Sequence, residues 1–316
     1  MPEHEQHCNT RIALDDTRWT INGQVTYPGA PAESLLMNVR MVNAIFEDRN
    51  PETCPEGFDS EANTTRFIAR LPDYVDAGVR AFTICAQGGL PGYEGALNSA
   101  FGPDGSLRTE YMSRAAQVIE ACDTLGAVVI LGCYYQRQDQ VLRDADAVRA
   151  GVRNVASWLA EKGYTNVLLE IANEYPHSGF DHDIIRTPAG VAELIAVAKE
   201  ACPGLLVSAS GYGDGKLHEE VCRASDFLLI HFNGTPVEEI ADRVGVLRAY
   251  GKPIVCNEDD KVGAEGARSA QAAVEAGCSW GFMHSAVNQY YPFTFDGPTD
   301  DPEVYQVLKR LTSPSR

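Results

Sequence analysis

The sequence predicts an α/β protein folded as a closed (β/α)8 barrel, and three observations support this prediction. Short apolar, β-rich runs alternate with longer helical patterns eight times along the 316 residues. These runs are almost continuously apolar, which is typical of parallel strands covered by crossover helices. The segment after the first strand reads EDRNP at 47–51 and lacks the glycine-rich turn that is typical of the competing doubly wound sheet.

Strands are predicted where apolar residues are continuous over the length of a strand, as in AVVILGC at 127–133 and NVLLEIA at 166–172. The first strand lies within 35–46. The other strands are predicted at 79–85, 204–209, 227–231, 253–256 and 279–284.

Helices are predicted where apolar residues recur at intervals of three and four, as they do along 109–125. Thr187 and Pro188 form a typical helix cap and first turn, and Gly251 and Gly277 are typical helix ends. The eight predicted helices cover 65–77, 109–125, 144–162, 187–201, 217–222, 236–250, 266–276 and 302–311.

Ahead of the barrel, residues 11–27 predict a small β-hairpin, because Asn22-Gly23 is a strong turn signal between two β-like stretches. We expect this hairpin to close the bottom of the barrel. Residues 1–10 are polar and are expected to form a flexible N-terminus. The predicted organisation is therefore a single (β/α)8 domain over 11–316, with the hairpin at 11–27 as part of it.

The charge balance restricts the possible partners. The chain has 26 Lys and Arg against 44 Asp and Glu, a formal net charge of −18. Such a surface repels phosphate backbones and anionic lipid, so we expect neither a nucleic acid nor a membrane as partner. No apolar run approaches the length of a membrane span.

The nine cysteines are scattered and include no C-x-x-C pair, so neither a zinc ribbon nor a disulfide framework is indicated. Several lie inside apolar runs, where a free cysteine behaves as a small core residue. These features favour a reducing compartment. The first residues lack the apolar segment of a signal peptide, so we expect a cytoplasmic protein.

In a (β/α)8 barrel, functional side chains come from the carboxyl ends of the strands. Here those positions are rich in carboxylates, amides and aromatic rings and hold no lysine, which argues against phosphate binding and a Schiff-base lysine. Amides and carboxylates bind hydroxyl groups, and aromatic rings stack on sugars, so a neutral carbohydrate ligand is favoured. The positions are Arg40, Asn43, Glu47, Asp48, Gln87, Tyr134, Tyr135, Gln136, Asn173, Glu174, Ser210, Tyr212, His231, Asn233, Asn257, Glu258, Asp259, His284, Asn288, Tyr290 and Tyr291.

Two of these carboxylates have the placement that glycoside cleavage needs. Glu174 ends the fourth strand and Glu258 ends the seventh, and these strands face each other across a barrel of eight. One carboxyl group could protonate the leaving oxygen while the other attacks the anomeric carbon, a geometry that requires roughly 5–5.5 Å between them in a retaining enzyme. The alternative is that each glutamate caps the next helix or pairs with a cation at the rim.

These motifs resemble those of a known clan. LEIANEYP at 169–176 resembles the fourth-strand motif of the cellulase-like retaining glycosidases, which are (β/α)8 barrels with an Asn-Glu pair at this position. KPIVCNED at 252–259 resembles the seventh-strand motif that contains the clan's nucleophilic glutamate, and TINGQVTY at 20–27 resembles the strand that often opens such domains. The resemblance covers residues 19 to about 311.

The resemblance implies that Glu174 is the general acid/base and Glu258 the nucleophile, with no metal and no organic cofactor. It further implies that Asn173 donates to the 2-hydroxyl of the sugar and that His231 orients the site. The full set of predicted substrate-binding residues comprises Arg40, Tyr134, Tyr135, Asn173, His231, Asn233, His284, Asn288 and Tyr290. Together these roles predict a retaining glycoside hydrolase that acts on β-linked oligosaccharides or small glycosides.

The sequence also departs from the clan's pattern. Tyr175 separates the glutamate from the proline that commonly follows it. The eighth strand ends in His284 where relatives often have a tryptophan, and Trp280 lies at its start. Gln87 stands where many relatives have an arginine after the second strand, so Arg40 on the first strand is the candidate guanidinium, with a structural ion pair as the alternative.

Two other functions remain open from the sequence. A divalent ion could bind Glu174, His231, Glu258 and His284, as in a metal-dependent sugar isomerase or hydrolase. A barrel that binds carbohydrate without turning it over is the third reading. The sugar, the linkage, exo or endo action and the oligomeric state do not follow from the sequence.

Overall fold

Eight parallel strands surround a common axis in the computed structural model, which describes residues 8–314. Three short strands precede them: β1 (Ile12–Asp15), β2 (Arg18–Ile21) and β3 (Gln24–Val25). The barrel strands are β4 (Asn38–Arg40), β5 (Ala81–Cys85), β6 (Val128–Tyr134), β7 (Val167–Ala172), β8 (Leu206–Ser208), β9 (Leu228–His231), β10 (Ile254–Glu258) and β11 (Gly281–Phe282).

Helices cover the outside of the strands. They are α1 (Ser60–Asp76), α2 (Thr109–Thr124), α3 (Ala145–Lys162), α4 (Asp183–Arg186), α5 (Pro188–Ala201), α6 (Glu219–Ala224), α7 (Ile240–Leu247), α8 (Gly263–Glu275) and α9 (Pro302–Leu311). The strands β4 to β7, β9 and β10 are buried along their whole length, because helices pack on one face and the barrel interior fills the other.

The strand order closes the barrel. Six strands pair in the order β11-β4-β5-β6-β7-β8, and β9 pairs with β10, all in parallel. Single bridges join the two sheets: Ser210 with Leu229 links β8 to β9, and Val255 with Ser279 links β10 to β11. The predicted (β/α)8 barrel is therefore confirmed.

The predicted elements all exist, with shifted ends. Helix α1 begins at Ser60, five residues earlier than predicted, because the Asp59 side chain accepts hydrogen bonds from the amides of Glu61 and Ala62. The helix predicted at 236–250 is regular only over α7 and has a turn of 3₁₀-helix at each end. The short helix α4 was not predicted.

The predicted hairpin is a three-stranded antiparallel sheet, β1-β2-β3. Asn22 and Gly23 form the predicted turn with φ of 53° and 77°, and an unpredicted turn at Asp16 joins β1 to β2. The ring of Trp19 is buried against Phe227 at 5.5 Å, within an apolar cluster at the amino ends of the barrel strands. This confirms that the segment closes the bottom of the barrel.

The predicted flexible terminus at 1–10 lies mostly outside the described residues, which begin at 8. Asn9 and Thr10 are held in place, because both donate backbone hydrogen bonds of 2.8 Å to the Asp123 carboxylate. All nine cysteines are free thiols. Within residues 8–314, no helix has both the length and the apolar character needed to cross a membrane.

Candidate active site

Two glutamates from different strands meet in the mouth of the barrel. Glu174 follows β7 and Glu258 ends β10. A carboxylate oxygen of each lies within 4.8 Å of the other and of a ring nitrogen of His231, which ends β9. His231 Nδ1 is 3.4 Å from Glu174 Oε1 and 3.7 Å from Glu258 Oε2. The pair that the sequence placed on the fourth and seventh strands therefore shares one site.

The backbone at Glu174 is unusual. Its φ is +47°, in the left-handed region that side chains with a Cβ seldom occupy. In a regular strand, Asn173 and Glu174 would point to opposite faces; here both reach the mouth. The Glu174 amide donates to Ser210 Oγ at 2.9 Å, which holds this conformation from the neighbouring strand segment. Backbone strain thus coincides with the site, as it often does where function requires a side-chain direction.

A second irregularity positions Glu258. The pairing of β10 with β9 shifts register between Cys256 and Glu258, so that two residues of β10 oppose one residue of β9. This is a β-bulge, which re-aims side chains at the end of a strand. Because of it, consecutive residues both face the barrel interior: Asn257 donates to Glu170, and Glu258 contacts Arg40.

Arg40 supplies the positive charge of the site from the first barrel strand. Its Nε lies 2.6 Å from Glu258 Oε2, and its side chain is fully buried. A second guanidinium nitrogen donates to Asn173 Oδ1 at 2.5 Å, and Asn173 Nδ2 donates to Gln136 Oε1 at 3.0 Å. These contacts fix the Asn173 amide so that its nitrogen keeps one hydrogen for a ligand.

The surroundings of Glu258 favour its ionised form. Burial by itself raises the pKa of this carboxyl group, but the charges of His231 and Arg40 outweigh burial and hold the pKa below its ordinary value. Asn233 Nδ2 adds a hydrogen bond of 2.5 Å to Glu258 Oε1, which lowers the pKa further. Glu258 is therefore a carboxylate at neutral pH.

The pKa of His231 is shifted in the opposite direction from that of Glu258. Burial lowers the pKa of its imidazole, yet the Glu258 carboxylate and the hydrogen bond to Glu174 outweigh burial, so the pKa is raised above its ordinary value. The Nδ1 atom of the ring faces both glutamates, 3.4 Å from Glu174 Oε1 and 3.7 Å from Glu258 Oε2, so the imidazole can hold a proton between them.

Glu170, in the middle of β7, lies beneath both glutamates and is fully buried. Its carboxylate accepts from Ser210 Oγ at 2.6 Å and from Asn257 Nδ2 at 3.1 Å, and it lies 3.8 Å from Arg40. Sequence reasoning missed this residue as part of the site. The available signal was a single charged residue inside an otherwise apolar strand.

Two consecutive tyrosines at the end of the third barrel strand, β6, have different surroundings. Tyr135 belongs to the mouth, where burial and then the neighbouring Glu258 raise the pKa of its phenol. Tyr134 does not, so the structure does not bring this predicted substrate-binding residue together with the two glutamates. Its ring packs on Phe101 at 5.2 Å, and its hydroxyl donates to the Val148 carbonyl at 2.5 Å in space left free by Gly151.

The predicted site residues that follow the eighth barrel strand also differ in their surroundings. Asn288 is buried and donates to Asp300 at 3.1 Å, so the structure shows this predicted substrate-binding residue stabilising its own loop. Tyr290 is exposed at the rim and packs against Gly92. His284 follows β11 with its ring edge-on to Phe282, and none of the described hydrogen bonds joins its ring to either glutamate.

Glu174, His231 and Glu258 are close enough to share a divalent ion, whereas His284 does not join them. Two features of the donor set oppose a metal. The guanidinium of Arg40 already pairs with Glu258 Oε2. A histidine that binds a metal must be neutral, whereas the raised pKa of His231 favours the imidazolium form. The residues present fit two carboxyl groups beside a buried guanidinium better than a cation site.

Solved glycoside hydrolases share this fold. A putative glycoside hydrolase from Bacteroides vulgatus is 12% identical at a TM-score of 0.62, with 87% of this chain and 55% of that chain covered, so this chain spans about half of it. A GH5-4 broad specificity endoglucanase from Clostridium longisporum is 11% identical at a TM-score of 0.62, with 88% of this chain and 96% of that chain covered. An exo-beta-1,4-mannosidase from an Opitutaceae bacterium is 12% identical at a TM-score of 0.63, with 95% of this chain and 61% of that chain covered.

At these identities, the likeness establishes the fold. The resemblance to the cellulase-like glycosidases that the motifs predicted is therefore confirmed as a shared barrel. No protein-family model matches the sequence, and no curated protein matches it. Activity must accordingly be argued from the site itself.

Proposed function

We propose that the protein is a retaining glycoside hydrolase that cleaves β-linked glycosides by double displacement. The observation that supports this most directly is the separation of the Glu174 and Glu258 oxygens, within 4.8 Å. Retaining enzymes hold their carboxyl groups at roughly 5–5.5 Å, whereas inverting enzymes need roughly 6.5–9.5 Å to admit a water molecule between them.

The charges assign a role to each glutamate. Glu258, kept ionised by Arg40, His231 and Asn233, attacks the anomeric carbon and forms a glycosyl ester as the bond to the leaving oxygen breaks. Glu174 gives its proton to that oxygen. In the second step Glu174 takes a proton from water, the water oxygen bonds to the anomeric carbon, and the ester bond to Glu258 breaks, so the enzyme returns to its starting state.

Asn173 is proposed to bind the 2-hydroxyl of the sugar. Its remaining amide hydrogen faces the mouth because Arg40 holds the amide oxygen and Gln136 accepts from the nitrogen. A neutral sugar suits the site, since its two buried basic groups already face carboxylates. The sugar and linkage are left to experiment.

The test compares wild type with Glu258→Ala and Glu174→Ala on a panel of aryl α- and β-glycosides. We expect one class of β-glycoside to be cleaved and kcat to fall by about 10⁴-fold in Glu258→Ala and about 10²–10⁴-fold in Glu174→Ala. Added azide then separates the roles. It should yield an α-glycosyl azide with Glu258→Ala and a β-glycosyl azide with Glu174→Ala.

Full activity in Glu258→Ala would contradict the nucleophile assignment. Loss of wild-type activity on chelation, restored by a divalent ion, would favour the metal-dependent alternative that the three clustered donors allow. Tight binding of a sugar without turnover over days would favour a binding protein.

A cytoplasmic site of action is part of this proposal. It is supported by the nine free thiols, six of which are buried, because cysteines that stay unpaired are typical of reducing compartments.

A further inference from the structure

We infer that Ser210 is a positioning residue that aims Glu174 at the leaving oxygen, and that buried Glu170 fixes the direction of the Ser210 hydroxyl group for this task. The inference rests on the proposed function, in which Glu174 is the general acid and base. Ser210 follows β8 and its side chain is fully buried. We therefore expect it to act through the residues that it holds rather than by touching substrate.

Ser210 accepts hydrogen bonds from two consecutive backbone amides of the segment that contains the acid. The Glu174 amide donates to Ser210 Oγ at 2.9 Å, and the Tyr175 amide donates to the Ser210 carbonyl at 3.0 Å. Consecutive amides of an extended strand point to opposite edges of that strand, whereas the φ of +47° at Glu174 turns both toward one residue. Without Ser210 Oγ, the Glu174 amide would lose the partner that favours this strained conformation over an extended one.

The Ser210 hydroxyl group has one hydrogen, and Glu170 determines where it points. Glu170 Oε1 accepts it at 2.6 Å, whereas the Ala172 carbonyl, a second acceptor in reach, is 3.4 Å away. A charged acceptor at the shorter distance forms the stronger hydrogen bond. With the hydrogen on this side, an oxygen lone pair is left for the Glu174 amide, and the carboxylate strengthens that second bond by polarising the hydroxyl group.

Glu170 also connects this pair to the nucleophile. Its other oxygen, Oε2, lies 3.8 Å from the Arg40 guanidinium, whose Nε is 2.6 Å from Glu258 Oε2. One side of the buried carboxylate thus leads through Ser210 to the acid, and the other side leads through Arg40 to the nucleophile. The separation of the two glutamates, on which double displacement depends, is therefore tied to one buried group.

The test uses leaving groups that need the acid to different extents. It compares the phenyl and 2,4-dinitrophenyl glycosides of the sugar that the aryl panel identifies, because dinitrophenolate leaves without a proton whereas phenolate needs one. For each glycoside, kcat/KM covers the steps up to the glycosyl ester. Ser210→Ala should lower kcat/KM about 30-fold for the phenyl glycoside and less than about threefold for the dinitrophenyl glycoside, because only the aim of the acid is impaired.

The ratio of the two kcat/KM values does not depend on the concentration of folded enzyme, so a loss of stability alone leaves it unchanged. If Ser210→Ala does not fold, Ser210→Cys takes its place and should raise the ratio about threefold, because a thiol is a weaker acceptor. An unchanged ratio in the variant that folds would overturn the inference while leaving the hydrolase assignment intact. Wild type that cleaves neither these glycosides nor any other on the panel would instead remove the proposed function.

Ser208→Ala is the matched control, at the last residue of β8. Ser208 is also fully buried, and within the described part of the chain its hydroxyl oxygen has no hydrogen-bond partner. The ratio should therefore keep its wild-type value in Ser208→Ala. An equal rise in both serine variants would show that loss of any buried hydroxyl group nearby disturbs the acid, and would contradict the role of Ser210.

The contribution of Glu170 is measured with a double variant. Glu170→Gln should raise the ratio less than Ser210→Ala does, because the new amide keeps an oxygen that can accept from Ser210. The double variant should have the ratio of Ser210→Ala alone, because Glu170 has no route to Glu174 once the hydroxyl group is gone. A ratio raised by the product of the two separate increases would overturn the part assigned to Glu170.

Discussion

The bottom and the mouth of the barrel are built from the same strands with opposite chemistry. Along β7, Leu168 joins the apolar cluster around Trp19, whereas Glu170, two residues later on the same face, joins the hydrogen-bonded groups beneath the site. Apolar burial at the bottom stabilises the fold, while buried charge at the mouth has a desolvation cost. The two ends should therefore respond differently to substitution.

The largest expected effect on stability is at the bottom. Trp19→Ala removes a buried ring that packs edge-on against Phe227, and we expect the free energy of unfolding to fall by about 3–5 kcal/mol. Urea unfolding measures this loss. At temperatures where the variant remains folded, kcat/KM should be unchanged, because the ring is at the end of the barrel opposite to the glutamates.

Trp158→Ala is the matched control, since this ring on α3 is only partly buried and packs on Tyr164. Its free energy of unfolding should fall clearly less than that of Trp19→Ala. A fall in kcat/KM of folded Trp19→Ala would contradict the separation of the two ends.

Glu170→Gln tests the buried polar residues between the bottom and the mouth of the barrel. The amide keeps the shape and can still accept from Asn257, but it removes a charge beside Arg40 and alters the bond with Ser210, which holds Glu174. We expect kcat to fall on the order of tenfold with little change in KM, and the free energy of unfolding to change by about 1–3 kcal/mol. Steady-state kinetics and urea unfolding of one preparation measure both.

Glu161→Gln makes the same chemical change at an exposed position near the end of α3 and should alter neither quantity. If Glu170→Gln lost stability with kcat intact, Glu170 would be a purely structural group.

The smallest expected effect is at the rim of the mouth. Asn233→Ala removes the hydrogen bond that lowers the pKa of Glu258, so this pKa should rise toward its ordinary value. The acid limb of the profile of kcat/KM against pH should then move to higher pH, with a loss of a few-fold at neutral pH. Asn154→Ala, at an amide on α3 that donates to the Gly105 carbonyl, should leave the limb in place. A limb that moved to lower pH in Asn233→Ala would contradict the assignment of Glu258.

The sequence was sufficient for the architecture. Apolar runs and helical spacing located all eight units, because the burial of strands and helices produces a regular pattern of apolar residues in the local sequence. Strand ends in a barrel converge on one rim, so Glu174, Glu258 and His231 could be named before their distances were known.

Side-chain directions at the strand ends could not be obtained in this way. The bulge before Glu258 and the left-handed Glu174 break the alternation on which such predictions depend. Strand alternation sends the consecutive Tyr134 and Tyr135 to opposite faces, but it does not tell which of them faces the mouth. Gly151, on another element, leaves the space that Tyr134 occupies against α3. Contacts between distant segments decided both cases.

The left-handed backbone at Glu174 also bears on how this protein can be improved. A glycine adopts such a φ freely, and the steric cost of roughly 1–2 kcal/mol for a residue with a Cβ exceeds or matches what glycine loses in chain entropy. Directed evolution that selects only for heat resistance is therefore expected to favour Glu174→Gly, which stabilises the barrel and removes the proposed general acid. Libraries built on this scaffold should hold position 174 constant, or score turnover in every round.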